Sequence, residues 1–267
     1  MADFNEEGYL SEDVLAIKRE LISRNKGIFA FVKEINIYCH KIRSKLVADN
    51  SEGKEVVAAC LCIKIMNGQQ AAIILCEMGL TYEAEIVMRA VFEAMVILLN
   101  IVNKEGFLVE YAKSDDIDRK KLMKGVQRNN APFFEEVKKI GIEKALKEVD
   151  ERIRDEGVKE RNLKELAENV GMLGLYDSVY RIASGAVHSS PRQVSEYCIS
   201  DKEGRVIGFK SGPIDEGAVL KVLHTAIGLV LIALRSIDKQ FKLGIIAEIE
   251  VYEKRLETYS VKDGRIV

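Results

Sequence analysis

The chain contains no tryptophan, only three prolines and only three histidines in 267 residues. So little proline leaves long, unbroken helices open, and abundant Leu, Ile, Val, Ala, Glu and Lys favour an all-helical chain. An excess of charge of one sign is also missing, with 40 Lys and Arg against 42 Asp and Glu. The net charge of -2 therefore announces neither a nucleic-acid binder nor a membrane binder, and such a partner needs a local patch. No CxxC spacing occurs among Cys39, Cys60, Cys62, Cys76 and Cys198, four of which lie in apolar helical sequence. Buried free thiols in a reducing compartment, rather than a zinc site, are the expectation.

Phosphate loop, dinucleotide fingerprint, HExxH helix and GxSxG elbow are all lacking, which removes most cofactor enzymes. No cofactor and no metal are expected. The start "MADFNEEGYL" is acidic and has no apolar core, so no signal peptide is expected. The most apolar run, "AIGLVLIALRS" from Ala226, falls well short of the ~20 apolar residues that cross a bilayer. A cytoplasmic protein with no membrane partner is the expectation.

What is present is a globular composition, 48% hydrophobic and 31% charged, in a chain long enough to bury a core. The periodicity predicts a single all-α domain over residues 1–267, a bundle of long antiparallel helices. It divides into an N-terminal helical arm (11–48), a core (54–103 and 175–258) and a charged helical insert (105–174). Ser11 reads as the first N-cap, with a helix running to about Val47 and Gly27 as a break. "ADNSEG" is a turn. Four apolar helices, 54–78, 81–103, 175–188 and 215–240, should form the centre. Gly79 reads as a stop and Thr81 as a new N-cap, while Asp215 should cap one long last helix reaching about Thr258. Shorter helices are read at Asp115–Gln127, after Pro132 and around Lys159–Val170. Alternation around Glu203 and Gly204 predicts a small hairpin or ordered loop near 197–210. "GLTYEAEIVMRAVFEA" is also like one helix of a tetratricopeptide repeat, but no second copy follows at that period.

The most informative stretch is "SVYRIASGAVHSSPRQ", Ser178–Gln193. Seven residues make two helical turns, so Arg181 and His188 project from one face, about 20° apart. Asp177 and Ser184 fall on the same stripe, while Val179, Ile182, Ala183 and Val187 occupy other faces. Pro191 disfavours helix in the residue before it and ends the segment just past His188. His188 then lies in the last turn, where the helix dipole favours a cation, and imidazole suits acid–base work near neutrality. The plainer alternative is a helix end capped by histidine, with Arg181 paired to Asp177.

An all-α chain with Arg, four to six residues and then His near the end of a late helix resembles the HEPN superfamily. The chain is also similar to a bacterial all-α family of unknown function that combines "GL..EA....R..FE" with a later "Y...YR..S...HS". Here those positions are Gly79, Leu80, Glu83, Ala84, Arg89, Phe92, Glu93, Tyr176, Tyr180, Arg181, Ser184, His188 and Ser189. The HEPN resemblance implies a metal-independent endoribonuclease of a toxin or phage-defence system, working as a homodimer with a composite site. It implies His188 as the acid–base group and Arg181 as the phosphate ligand, with RNA as substrate and an antitoxin or defence protein as a further partner. It also implies attack by the substrate's own 2′-hydroxyl. Ile182 departs from the pattern, since HEPN sites often carry Asn or Asp directly after the arginine.

Glu85, Arg89 and Glu93 repeat every four residues along an otherwise apolar helix. A buried charge needs a partner, and two readings satisfy that: a self-contained Glu–Arg–Glu ladder, or Arg89 and Glu93 facing Arg181 and His188. In the second, Glu93 orients the imidazole, and Asp177, Ser184 and Ser189 give polar support. Lys121, Lys124 and Arg128 share one helical face that suits RNA phosphates. The acids Asp115, Asp116 and Asp118 nearby point instead to an ordinary solvated helix. His224 reads as a satisfied core residue.

Overall fold

A computed structural model describes residues 4–49, 52–139, 141–209, 211–212, 216–259, 261–262 and 265–266. Two short turns of helix open it, α1 (Phe4–Glu7) and a 3₁₀ turn (Gly8–Leu10), followed by α2 (Val14–Arg24) and α3 (Lys26–Arg43). Ser11 is not the cap. It is buried, and Asp13 occupies the N-cap position without a side-chain cap bond, its carboxylate accepting instead from the Phe4 N–H at 3.1 Å. The break falls at Asn25 rather than Gly27, where φ −111 and ψ 31 leave the helical region and the Asn25 side chain donates to the Leu21 carbonyl. The expected arm is a layer of the core, since Phe31, Val32, Ile35 and Cys39 of α3 are fully buried.

The centre is α4 (Gly53–Glu77) against α5 (Thr81–Asn103), antiparallel across the three-residue turn 78–80, where Gly79 takes φ +78. At Gly68 of α4 the two helices pack closely: a Cβ there would collide with Val91 Cγ2. Thr81 is the first helical residue rather than the cap, which falls on Leu80. Beneath, Glu77 is buried and held by Lys18 of α2 (2.7 Å) and Lys33 of α3 (2.9 Å), clamping the N-terminal helices to the end of α4.

α6 (Phe107–Arg128), α7 (Pro132–Lys138), α8 (Ile142–Asp155) and α9 (Leu163–Asn169) form the charged half. α6 begins eight residues before the expected start, because Gly106 at φ +75 lets the chain reverse and Phe107 plug the core. α6 and α8 are joined by ion pairs, among them bidentate Arg152–Asp116 (3.0 and 2.9 Å) and Lys120–Asp150 (2.5 Å). Asn100 on α5 donates 2.9 Å bonds to both Val96 and Leu166 carbonyls, fastening α9 to the core.

α10 (Leu173–Leu175) leads into a π-helical turn (Tyr176–Tyr180), then α11 (Arg181–Val187) and α12 (Pro191–Ser195). The expected 175–188 segment does lie on α5, yet of α11 only Ala183 is buried, so it rides on the core instead of forming part of it. The hairpin is β1 (Cys198–Ser200) paired antiparallel with β2 (Val206–Phe209). α13 (Glu216–Phe241) runs along both α4 and α5, and α14 (Ile246–Glu257) packs on α13. The expected single last helix is therefore two. Gly244 at φ +71 turns the chain, and Asp238 accepts from the Ile245 N–H at 2.9 Å. A two-residue hairpin, β3 (Val261–Lys262) with β4 (Arg265–Ile266), follows. The expected cap Asp215 lies outside the described residues, as do Asn50 and Ser51 of the expected turn.

By length and hydropathy alone α4 and α13 could each cross a membrane, with mean hydropathies of 1.4 and 2.1 over their most apolar stretches. The run from Ala226 is thus part of a longer apolar helix than its eleven residues suggested. Both helices spend much of that surface inside the bundle, where Ile65, Ala72, Leu223, Ile227 and Ile237 are among the buried side chains. Of the cysteines, Cys39, Cys62 and Cys76 are buried, with burial pushing each thiol up to about 12. Cys60 is exposed and Cys198 half-buried, departing from the expectation of buried thiols because Cys60 falls on the outer face of α4.

Candidate functional site

Three neighbouring features assemble one polar cluster on the face of α5 that the core does not use. The helix buries Met88, Val91, Phe92 and Met95, which leaves Arg89 and Glu93, one turn apart, at its edge. Their ion pair measures 3.0 Å. The Arg89 guanidinium carbon stands 5.1 Å from the Tyr180 ring centre, and the Tyr180 hydroxyl is within hydrogen-bonding reach of both charged groups. Partial burial works against the charge on Arg89, but the bond to Glu93 and the Tyr180 phenol outweigh it and raise the guanidinium above its ordinary value. Burial and then the Glu93 carboxylate push the Tyr180 phenol up.

Tyr180 reaches this spot because the helix widens there. The Arg181 N–H reaches back to the Tyr176 carbonyl, five residues earlier, and this insertion stacks Tyr176 on Tyr180 with ring centres 5.0 Å apart. Such π turns are frequent at functional sites. Tyr180 belongs to the sequence motif, but a phenol that lines up with Glu and Arg across 87 to 91 residues of chain leaves no periodic signal.

His188 closes the cluster from above. Its Nε2 lies 3.5 Å from an Arg89 terminal nitrogen, so the neutral tautomer protonated at Nδ1 can accept from Arg89. The ring is exposed. The helix end that presents it is a Schellman motif: Ser189 takes φ +48, and the Ser190 N–H bonds to the Gly185 carbonyl at 3.1 Å. Pro191 then starts α12 at its first position, so the proline that ends one helix also begins the next.

Arg181, the expected phosphate ligand, is placed differently. It is exposed, pairs with Asp177 at 3.2 Å and lies 6.0 Å from the Tyr176 ring centre. The arginine beside His188 is Arg89. Ser184 contributes its backbone, accepting from the His188 N–H at 3.1 Å, and Ser189 contributes the left-handed turn. The Glu–Arg–Glu ladder is only half made. Glu85 is buried and turns to Lys221 of α13 (3.4 Å) and Gln193 of α12 (3.5 Å), leaving Arg89 to Glu93.

The basic face of α6 is partly paired with acids. Lys121 pairs with Glu160 at 2.5 Å, and Lys124 is half-buried near Asp150; Arg128 is exposed at the helix end. His224 is half-buried on α13, and burial holds its imidazole below the ordinary value, as befits a core residue. Among the described residues no group of three or more His, Cys, Asp and Glu side chains could hold a metal ion.

A cleft of about 230 Å³ opens beside the cluster, between α5, α6 and the approach to α9, and Glu93 and Tyr180 form its wall on the Arg89 side. The nearby α11, and α12 and the hairpin that follow it in the chain, carry exposed apolar side chains. Ile182, Val187, Val194, Ile199, Val206, Ile207 and Phe209 are all exposed, on α11, α12 and the hairpin. The apolar surface of α13 is largely consumed within the chain.

No curated protein and no solved structure matches the chain. Residues 55–205, from the start of α4 to the tip of the hairpin, match a family model, and that span holds Arg89, Glu93, Tyr180 and His188. The chain belongs to the family of unknown function DUF5677.

Proposed function

We propose that the chain is a HEPN-like, metal-independent endoribonuclease, a toxin or phage-defence effector of the cytoplasm, with His188 as its acid–base group and Arg89 as its principal phosphate ligand. One observation carries this reading: a solvent-open imidazole within reach of an arginine whose charge is secured by Glu93 and Tyr180. Neutral His188 takes the proton of the ribose 2′-hydroxyl, O2′ attacks phosphorus, and the P–O5′ bond breaks. The imidazolium returns the proton to O5′, leaving a 2′,3′-cyclic phosphate and a 5′-hydroxyl. Arg89 donates to the non-bridging oxygens, where negative charge builds. Arg181, one helix turn from Asp177 and facing solvent, meets a flanking phosphate. A second copy of the chain covers the exposed side chains of α11, α12 and the hairpin and brings two His188 residues to one groove.

Replacing His188 by alanine should lower RNA cleavage by about 10²–10⁴-fold with the melting temperature close to wild type, because the ring is exposed. Activity should survive EDTA. Cleavage that stops with EDTA, or persists in His188→Ala, removes the reading, and a monomer by light scattering at tens of micromolar removes its dimeric part.

A second reading, a non-catalytic helical module that binds RNA, a nucleotide or a partner protein, is favoured by the pairing of Arg181 with Asp177 and of Lys121 with Glu160. It predicts binding that His188→Ala leaves unchanged, with no cleavage to lose.

A further inference from the structure

The cleft beside Arg89 has a composition that the phosphate chemistry does not use. Ile97, Ile117 and Leu163 give it an apolar lining, while Asp118 and Arg161 stand at its rim and Tyr180 closes the side facing His188. The Tyr180 ring is already engaged by Tyr176, Phe92 and Arg89, so an occupant lies against the aliphatic side chains. Of the carboxylates in the cleft, Glu93 is held by Arg89 at 3.0 Å and Glu160 by Lys121 at 2.5 Å. Asp118 is held more loosely, 3.8 Å from Arg161, and keeps acceptor capacity.

An occupant that satisfies all of this is flat and apolar in its body, offers two adjacent N–H donors to a carboxylate, and carries an anion back towards Arg89. Uracil and cytosine lack the paired donors, and adenine offers a donor beside an acceptor. Guanine presents N1–H and the 2-amino group side by side, which suits a carboxylate accepting two bonds. Single-stranded RNA is read on such edges once its bases are splayed out. We infer that the cleft is a guanine subsite, placing the base against Ile97, Ile117 and Leu163 with its N–H edge on Asp118 and its 3′-phosphate at Arg89. This rests on the reading of Arg89 and His188 as a phosphodiester site, and it adds that cleavage falls after guanosine.

Guanosine 3′-monophosphate, a product-like ligand that needs no turnover, is titrated calorimetrically against the full chain beside the adenosine, cytidine, uridine and inosine 3′-monophosphates. The guanosine ligand should bind about tenfold or more tighter than the others, inosine included because it lacks the 2-amino donor. Asp118→Asn, an exposed and fold-neutral change, should erase that preference while leaving the affinity for inorganic phosphate alone. Equal affinities for all five, or competition by inorganic phosphate as strong as by the guanosine ligand, overturns the subsite. The two readings separate cleanly. Guanosine 3′-monophosphate bound selectively by a chain that leaves RNA intact keeps the subsite and removes the nuclease; cleavage after every base with no nucleotide preference does the reverse.

Discussion

Two ionic clusters flank the helix pair at the centre of this protein, and they are built to opposite ends. Around Glu77 the carboxylate is buried, two lysines from two other helices close on it, and both of its oxygens are occupied. Burial alone would raise its pKa; the bonds from Lys18 and Lys33 outweigh that and hold it below its ordinary 4.5. Around Arg89 the charges are also paired, yet the chain of contacts runs outward, from Glu93 and Tyr180 through the guanidinium to an exposed imidazole. The closed cluster has nothing left to bind. In the open one every group is steadied from behind and free in front, the arrangement by which a site is preorganised before its ligand arrives.

Substitutions at four positions sharpen or break this contrast. Arg89→Ala should cost the most, about 10²–10³-fold in RNA cleavage, with Arg89→Lys little better because an ammonium lacks the planar fork. A melting temperature that fell while cleavage rates held would mean that the open cluster is structural. Glu77→Ala should leave cleavage untouched and destabilise the fold by about 2 kcal/mol, less than the ~3–5 of a fully buried pair because the freed lysines regain water. Its pH signature follows from the lowered pKa. The stabilisation by Glu77 is complete above the carboxyl's ordinary 4.5 and is lost as pH falls through the lower folded value, so the wild-type advantage in urea should shrink under acid. Equal stability of the two proteins at neutral pH would show that the clamp holds nothing. Glu93→Gln is milder: the pair is partly exposed, so chemical denaturation should register below about 1 kcal/mol, with slower cleavage as Arg89 loses its anchor. Asp177→Ala is expected to be smallest, within about 0.5 kcal/mol in stability. It should leave RNA cleavage at wild-type rates, and a large loss there would move the phosphate contact back to Arg181.

Much of the fold was legible, for a physical reason that also explains the failures. Helix α5 begins at Thr81 and ends at Asn103 as the periodicity requires, because apolar spacing and the glycine at 79 act within a few residues of one another. The division of the last helix was not, since Gly244 and the Asp238 acceptor end a run whose hydropathy had already given way to charge. Likewise the periodicity places the start of α6 eight residues too late, because the sequence from 107 to 114 is mixed and the burial of Phe107 leaves no periodic trace. At the site, His188, Arg89 and Glu93 were legible as polar residues on apolar helices. The approach of Arg89 to the histidine was one of two open readings, because helical geometry relates Arg181 to His188 within one segment but does not decide which residues 99 apart come together. The π turn compounds this, as it alters the helical register just before Arg181.

One arginine and one histidine meet here across a difference in stiffness. Arg89 is rooted in α5, whose neighbours Met88, Val91 and Phe92 are sealed in the interior, whereas His188 hangs from a seven-residue helix with one buried side chain, ended by a serine in a left-handed conformation. The anvil is fixed and the hammer is on a spring. A displacement of α11 would change the 3.5 Å gap between the two side chains and leave the buried face of α5 as it is. The distance between the two groups is thus set by the lighter of their two supports, since α11 buries one side chain and α5 many.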